Sequence, residues 1–202
     1  MPVSSYRELR EKIRRKIRDT YGLLWDEPAL DRIINEAQRE YSILSGSLIG
    51  ESEVKATRTG VCRYPSDFIE VVRFIGTDGD EKGLFSWRYL DDLYPDFRAE
   101  TGTEARGLVT DFDGYGKYRI FPKLPEGTTA GKVYYKRLAK ANELETRNTE
   151  ALEQHCYYQV FLLTGKGQAS EYYRRFVKLV NEEGENYRGL RNSSPVRFGR
   201  YF

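Results

Sequence analysis

The chain has 202 residues, of which 39% are hydrophobic and 14% aromatic, enough for one good core or for one core with a small inserted unit. Its 33 basic and 31 acidic residues leave a net charge of only +2, which excludes a protein that coats nucleic acid through bulk charge. No apolar run approaches the roughly 18 residues of a membrane span, and no signal peptide is recognisable. We therefore expect a soluble protein that is made inside the cell and has no membrane partner.

Two helices are predicted at the start of the chain. The first covers residues 5–21, where Ser5 and Glu8 have the spacing of a capping box and Gly22 is the stop. The second lies within residues 23–44, with Asp26 as its cap. The short link between them predicts an antiparallel hairpin that needs a further layer to cover it. The apolar stripe of the second helix consists of Leu30, Ile33, Ile34, Ala37, Tyr41 and Leu44.

From about residue 51 the pattern changes to short runs rich in β-branched and aromatic residues, separated by turns that contain Gly and Pro. Four or five antiparallel strands fit these runs, which are GVCRYP, FIEVVRFIG, ARGLVTDF, KYRIFP and GKVYYKRL. A brief helix is predicted within SWRYLDDLYPDF, ending before Pro95. Because strands and helices do not alternate, a parallel nucleotide-binding sheet is not expected.

Helical spacing returns near the end of the chain. One helix is capped by Asn148 or Thr149 and stops at Gly165, and another ends at Gly184. The predicted fold class is therefore α+β, with an antiparallel sheet or sandwich inserted into a discontinuous antiparallel helix bundle. The predicted parts are the bundle of residues 1–50 and 141–184, the β unit of residues 51–140 and an extended tail of residues 185–202.

The tail combines arginines and aromatic residues with glycine, serine and proline, and no acidic residue follows Glu185. Arg, Tyr and Phe are typical anchors of protein interfaces, so we predict that the tail docks on a partner rather than frays. The predicted docking residues are Tyr187, Arg188, Arg191, Arg197, Phe198, Arg200, Tyr201 and Phe202.

Candidates for catalysis are few. The single histidine, His155, lies on a predicted helix, where packing or a surface position fits better than the role of a general base. Cys62 and Cys156 have no metal-binding or redox spacing, and we interpret them as buried thiols. No catalytic residue, metal ligand or cofactor is predicted, although an enzyme with a site assembled from scattered acids stays a rival hypothesis.

Charge is unevenly distributed along the chain. Residues 5–20 hold seven basic and three acidic side chains, whereas residues 78–104 hold eight acidic and three basic ones. Opposite patches of this kind fit contacts between neighbouring copies or with partners. The rival interpretation is a DNA-binding module that uses the basic first helix, although Ile13 and Ile17 would bury the same helix.

The order of these parts resembles the head-to-tail adaptor proteins of short-tailed bacteriophages over most of residues 20–180. One motif is a Trp and acidic cap followed by a helix that contains the run Asn35–Glu40. The other is a Tyr–Pro–x–Asp–Phe strand start, here Tyr64–Phe68. Strands within YRIFPKLPEG and VYYKRLA and a closing pair of helices follow in the same order.

This resemblance implies a virion protein at the head–tail junction that forms a ring, typically of about twelve copies, below the portal. In the family the helical part lies against the portal and neighbouring copies, the β part faces tail or nozzle proteins, and the C-terminal segment reaches the portal. Double-stranded DNA passes through such a ring. Because an acidic wall lets DNA slide, we predict that Asp91, Asp92 and Asp96, or their neighbours in residues 78–104, lie nearer the ring lumen than the basic face does; the alternative is that both are ordinary solvated faces. The basic face of residues 7–18 is predicted to meet an acidic surface instead.

Overall fold

The structure is a computed structural model that describes residues 5–19, 21–110, 112, 114–146, 148–165 and 167–192, with side chains up to Glu183. The helices are α1 (Tyr6–Ile17), α2 (Glu27–Ser45), α3 (Trp87–Leu93), α4 (Thr149–Leu163) and α5 (Ala169–Asn192). The strands are β1 (Ile49–Lys55), β2 (Val61–Arg63), β3 (Phe68–Gly76), β4 (Glu81–Ser86), β5 (Gly107–Thr110), β6 (Lys117–Phe121) and β7 (Thr129–Arg137). Two compact units result, a helical unit (Met1–Leu48 with Leu138–Phe202) and a sheet unit (Ile49–Arg137).

The helices begin at the caps that the sequence predicts. The Ser5 side chain accepts a hydrogen bond from the Glu8 N–H at 3.2 Å, and the Asp26 side chain accepts one from Ala29 at 2.8 Å. Asn148, rather than Thr149, is the cap of α4. However, α1 is shorter than predicted, because Arg18 adopts a left-handed conformation with φ 61° and ends the helix before residue 21.

One hydrophobic core joins four helices of the helical unit. Most of the stripe predicted for α2 faces this core, with Leu30, Ile34 and Ala37 fully buried, but Leu44 in the last turn of the helix is 47% exposed and lies outside the core. α4 packs against α1, α2 and α5, so it supplies the covering layer that the first two helices need. The antiparallel arrangement predicted for these helices stays a prediction.

The returning segment of the helical unit, residues 138–146, is held by polar side chains of α2. Asn35 accepts a hydrogen bond from the Asn142 N–H at 2.9 Å, and Gln38 accepts one from Glu145 at 3.3 Å. Ser42, one turn further along the helix, accepts one from the Ala139 N–H at 3.1 Å. Part of the run Asn35–Glu40 therefore serves to close a discontinuous unit.

The sheet unit contains one seven-stranded sheet in the order β1-β7-β3-β4-β5-β6-β2. All neighbouring strands are antiparallel except β4 and β5, which run parallel. The two edge strands approach each other at one end, where the Cys62 thiol donates a hydrogen bond to the Lys55 carbonyl oxygen at 3.4 Å. The sheet therefore curls until it is nearly closed.

The prediction of four or five purely antiparallel strands is wrong in three respects. It omits β1 and β4, and it omits the parallel pair that β4 forms with β5. β1 has exposed polar residues such as Glu51 and Glu53 at alternate positions, and β4 contains Gly83 and no β-branched residue. Both strands thus lack the composition by which a strand is recognised in sequence.

The Tyr–Pro–x–Asp–Phe motif is an aromatic corner at the start of β3. The rings of Tyr64 and Phe68 stack with centroids 3.8 Å apart and planes inclined by 4°. Tyr118 of β6 packs on Tyr64 at 4.5 Å, and the hydroxyl group of Tyr135 in β7 donates to Asp67 at 3.2 Å. The motif therefore ties β3 to two other strands.

The last helix differs from the prediction. α5 runs through Gly184 to Asn192, so the predicted stop at Gly184 and the predicted extended conformation of residues 185–192 are wrong. A glycine inside a helix costs only about 1 kcal/mol relative to alanine, and no proline follows until Pro195. Residues 193–202 lie outside the described residues.

We expect the substitution Gly107→Ala to lower the free energy of unfolding by about 1–3 kcal/mol, because overpacking strains the backbone. Gly107 faces Gly83 across the parallel pair, and a Cβ atom at Gly107 would lie 2.2 Å from the Gly83 carbonyl oxygen. The matched control is Gly167→Ala, where a Cβ atom meets no other atom within 4 Å. Chemical denaturation of the two variants measures the effect, and equal midpoints would contradict the close approach of these strands.

Candidate interaction surfaces

The histidine is a buried structural residue. His155 is 0% exposed, and its Nε2 atom lies 2.6 Å from Oε2 of Glu40. The other carboxylate oxygen of Glu40 accepts a hydrogen bond from the Tyr173 hydroxyl group at 2.9 Å. The ring of His155 also packs edge-on against Phe176, with centroids 4.8 Å apart. The packing interpretation of His155 is confirmed.

The two cysteines are also buried, as the sequence predicts. Burial raises the pKa of the Cys156 thiol far above its ordinary value, and burial raises the pKa of Cys62 as well. Both thiols therefore stay protonated at neutral pH and are poor nucleophiles.

Neither a metal centre nor a membrane-spanning helix is present in the part of the chain that the structure describes. There, no group of three or more His, Cys, Asp or Glu residues is arranged to hold a metal ion. Within the same residues, no helix has the length and apolar character needed to cross a membrane.

The basic helix α1 uses most of its charge inside the helical unit. Four of its basic residues form ion pairs, which are Arg7 with Glu11, Arg10 with Glu27 and Asp31, Lys12 with Glu153, and Arg14 with Asp19. The remaining basic residues, Arg15, Lys16 and the capping residue Arg18, are exposed and pair with no acid among the described residues. The free positive charge is therefore confined to the C-terminal end of α1.

Three large apolar side chains are exposed directly after this helix. We call Tyr21, Leu23 and Leu24 the apolar loop, and they are 88%, 85% and 77% exposed. Side chains of this size are seldom left in water together in a loop, where polar residues prevail. The apolar loop is therefore a candidate contact surface.

A buried carboxylate holds the apolar loop in place. Asp19 is only 3% exposed, and it accepts hydrogen bonds from the backbone N–H groups of Leu23, Leu24 and Trp25 at 2.8, 3.1 and 2.9 Å. Arg14 lies 3.3 Å from the same carboxylate and donates to the Trp25 carbonyl oxygen at 2.8 Å. Burial alone would raise the pKa of Asp19, but the backbone N–H groups and Arg14 outweigh it and hold the pKa below its usual value. Asp19 is therefore ionised at neutral pH.

From its length alone, this stretch is predicted to be only a short link between helices. The signal that could have identified it is its composition, because TYGLLW has three large apolar or aromatic residues besides Tyr21 and no charge. A tight connection between two helices does not require large apolar residues, so their presence indicates a further role for this stretch.

The acidic segment, residues 78–104, carries a second exposed apolar surface. α3 lies where the sequence predicts it and buries Leu90 with Phe97 in a small core against β5 and β6. Tyr89, Leu93 and Tyr94 stay exposed by 54%, 52% and 56%, and we call these three residues the aromatic patch.

The aromatic patch is bordered by acids. Leu93, Tyr94 and Asp96 line a shallow, open depression after α3. Asp92 and Asp96 are exposed and pair with no basic residue that the structure describes, whereas Asp91 pairs with Arg98 at 2.6 Å. Two of the three predicted lumen-facing acids thus carry free charge. That they face a DNA channel stays a prediction.

The predicted docking residues of the tail fall into two groups. Tyr187, Arg188 and Arg191 belong to the last turns of α5, of which the backbone is described. The other five lie outside the described residues, and they are Arg197, Phe198, Arg200, Tyr201 and Phe202. The docking role of both groups stays a prediction.

Each unit exposes large apolar side chains, which is typical of a protein that assembles with others. The single histidine is occupied by structural contacts. The family model described as SU10 adaptor protein matches residues 4–199, which include nearly the whole of both units. The chain therefore belongs to the SU10 adaptor protein family, a family of phage head–tail adaptors. A comparison with curated proteins finds no significant match.

We expect Glu40→Ala to lower the free energy of unfolding by about 1–3 kcal/mol, because it leaves a buried histidine without its hydrogen-bond partner. Tyr173 loses its acceptor in the same variant. Glu36, one turn earlier on α2, is exposed, and Glu36→Ala is the matched control, with an expected change within about 0.5 kcal/mol. If both variants unfold at the same denaturant concentration, the Glu40 network does not stabilise the helical unit.

Proposed function

We propose that this protein is a structural component of the virion that forms a ring below the portal and joins the phage head to the tail. Its partners are the portal protein, neighbouring copies of the same chain in a ring of about twelve, and tail or nozzle proteins. Double-stranded DNA passes through the ring during ejection. The protein needs no cofactor and performs no catalysis in this role.

The observation that carries this proposal is the family match across residues 4–199. Because the match includes both units, the adaptor role belongs to the chain as a whole and not to one attached module. The exposed apolar loop and the exposed aromatic patch support the same role, since a protein that works alone gains nothing from leaving such side chains in water.

The rival function, a DNA-binding module that uses α1, is disfavoured by the ion pairs. A helix that binds phosphate needs unpaired basic side chains. A basic side chain that already pairs with an acid of the same protein contributes little to phosphate binding. Only Arg15, Lys16 and Arg18 remain free, while Leu9 and Ile13 bury the other side of the helix. With a net charge of +2, a ring of such chains has little tendency to hold DNA that must pass through.

We expect the purified chain to be mostly monomeric and to form a ring only when the portal is added. The contacts between copies are weak at free concentrations, and the portal holds copies side by side at a high effective concentration. Native mass spectrometry of the chain alone, of the portal alone and of their mixture measures the number of copies bound. Serum albumin in place of the portal is the control.

The outcomes separate the parts of the proposal. A mixture in which no copy binds the portal would contradict the adaptor position below the portal. A stable ring of the chain alone at micromolar concentration would contradict only the templating role of the portal. Heads that retain DNA and join tails normally when this chain is deleted from the phage would contradict the joining function itself.

We expect a chain that ends at Asn192 to fold with unchanged stability and to lose binding to the portal by about tenfold or more, because aromatic residues and arginine dominate interface energies. The variant in which Phe198, Tyr201 and Phe202 are replaced by serine should behave in the same way. Replacement of Ser193 and Ser194 by alanine is the control in the same segment. Surface plasmon resonance on immobilised portal measures affinity, and full affinity of the truncated chain would refute the docking role.

A further inference from the structure

We infer that neighbouring copies in the ring join when the apolar loop of one copy docks on the aromatic patch of the next copy. This inference rests on the proposed ring and specifies which surfaces form its contacts. The loop belongs to the helical unit and the patch to the sheet unit, so each copy carries both halves of the contact.

The two surfaces match in chemistry. The loop offers two leucines and a tyrosine, and the patch offers two tyrosines and a leucine, all more than half exposed in the single chain. The patch continues into the open depression that Leu93, Tyr94 and Asp96 line together with Pro95 and Phe97. Burial of such side chains at the centre of a contact is the usual source of binding energy.

On balance, the charges beside the two surfaces are opposite, although Arg88 of α3 is also exposed and has no acid paired to it among the described residues. Arg15, Lys16 and Arg18 stand on the end of α1 directly before the apolar loop, with no acid paired to them among the described residues. Asp92 and Asp96 border the aromatic patch and also lack a described partner. Opposite free charges around an apolar centre select the orientation of docking and speed the encounter. A second loop, or a second patch, would instead meet its own charge and be repelled.

Both surfaces are held in shape before contact. Asp19 and Arg14 fix the backbone of the apolar loop through four hydrogen bonds. On the other side, Arg98 pairs with Asp91 and its guanidinium group lies over the ring of the buried Phe97 at 5.3 Å. Surfaces that are already ordered lose little conformational entropy when they bind.

The contact is heterologous, because two different surfaces of one chain meet. Such contacts repeat from copy to copy and close into a ring when the rotation between copies allows it. A pair of identical surfaces would stop at a dimer. This assignment also places Asp92 and Asp96 at the edge of the contact between copies and not on the wall of the DNA path, contrary to the lumen prediction.

Chemical cross-linking tests the contact. In the variant Leu23→Cys with Leu93→Cys, assembled on the portal and treated with a short bis-maleimide, we expect a ladder of covalently linked copies on a denaturing gel. Each single-cysteine variant should give no ladder, since its cysteine faces a neighbour without one. The native cysteines are buried and do not interfere. A ring that forms on the portal without a ladder in the double variant overturns the inference, whereas a wild-type chain that forms no ring overturns the proposed function.

Substitutions in the two surfaces test how much each surface contributes to the stability of the ring that forms on the portal. Leu23→Ser with Leu24→Ser, and Leu93→Ser with Tyr94→Ser, should each raise the chain concentration needed for half-complete rings by about tenfold or more. Leu162→Ser with Leu163→Ser is the matched control, because those side chains are 53% and 64% exposed and lie outside both surfaces. Unfolding midpoints of all three variants should equal that of the wild type.

Charge reversal then tests the pairing. Replacing Arg15 and Lys16 by glutamate, or Asp92 and Asp96 by lysine, should weaken ring formation, and combining both pairs should restore it. If the four residues acted independently, the combined variant would form rings less well than either pair of substitutions, so restored ring formation shows that the two pairs contact each other. If the loop substitutions abolish binding of single copies to the portal while the patch substitutions do not, the portal occupies the loop and the inference fails.

Discussion

The helical unit depends on one constraint, which is that its two halves are separated by the entire sheet unit. The chain leaves after Leu48 and returns at Leu138. The core of α1, α2, α4 and α5 can close only if the returning segment is placed against α2, and the side chains of Asn35, Gln38 and Ser42 do this through backbone N–H groups. Once that segment is fixed, Asn148 begins α4 in position to complete the core. These three polar side chains of α2 therefore matter to the closure of the helical unit as much as its buried leucine and isoleucines do.

A second regularity is that charged groups organise the places where apolar side chains face water. Asp19 is buried and paired so that Leu23 and Leu24 stand exposed, and Arg98 braces the turn after α3 beside Tyr94. On a flexible loop, an exposed leucine would pack against the nearest apolar surface of its own chain. The hydrogen bonds to Asp19 prevent this, and they cost little because the backbone groups would otherwise bind water. Hydrogen bonds within the chain thus keep this apolar surface exposed.

Much of this fold could be predicted because it depends on local signals. The caps Ser5 and Asp26, the stripe of α2 and the brief helix before Pro95 each act within a few residues of where they are read. The omissions have non-local causes. β4 has weak strand composition and is held by its neighbours β3 and β5, and nothing in its sequence specifies a parallel partner. Gly184 does not end α5, because a single glycine is a small cost to a helix of 24 residues. The length of the link between α1 and α2 does not distinguish the apolar loop from an ordinary turn, and only its composition does.

The ion pairs of α1 explain why charge counted along the sequence overstates charge available at a surface. Six basic residues in α1 and a seventh at its cap suggest a strongly positive face, yet Arg10, Lys12 and Arg14 are directed at acids of α2, α4 and the loop after α1. What remains is a short positive border beside an apolar centre, whose influence extends about 8 Å at physiological ionic strength. A positive border whose field is screened within this distance does not attract distant DNA. It does interact strongly with a partner surface that is already in contact. Because of this distance dependence, apolar side chains and free charges have different effects on a contact. The apolar side chains supply most of the affinity, and the few free charges around them determine which surface binds and in which orientation.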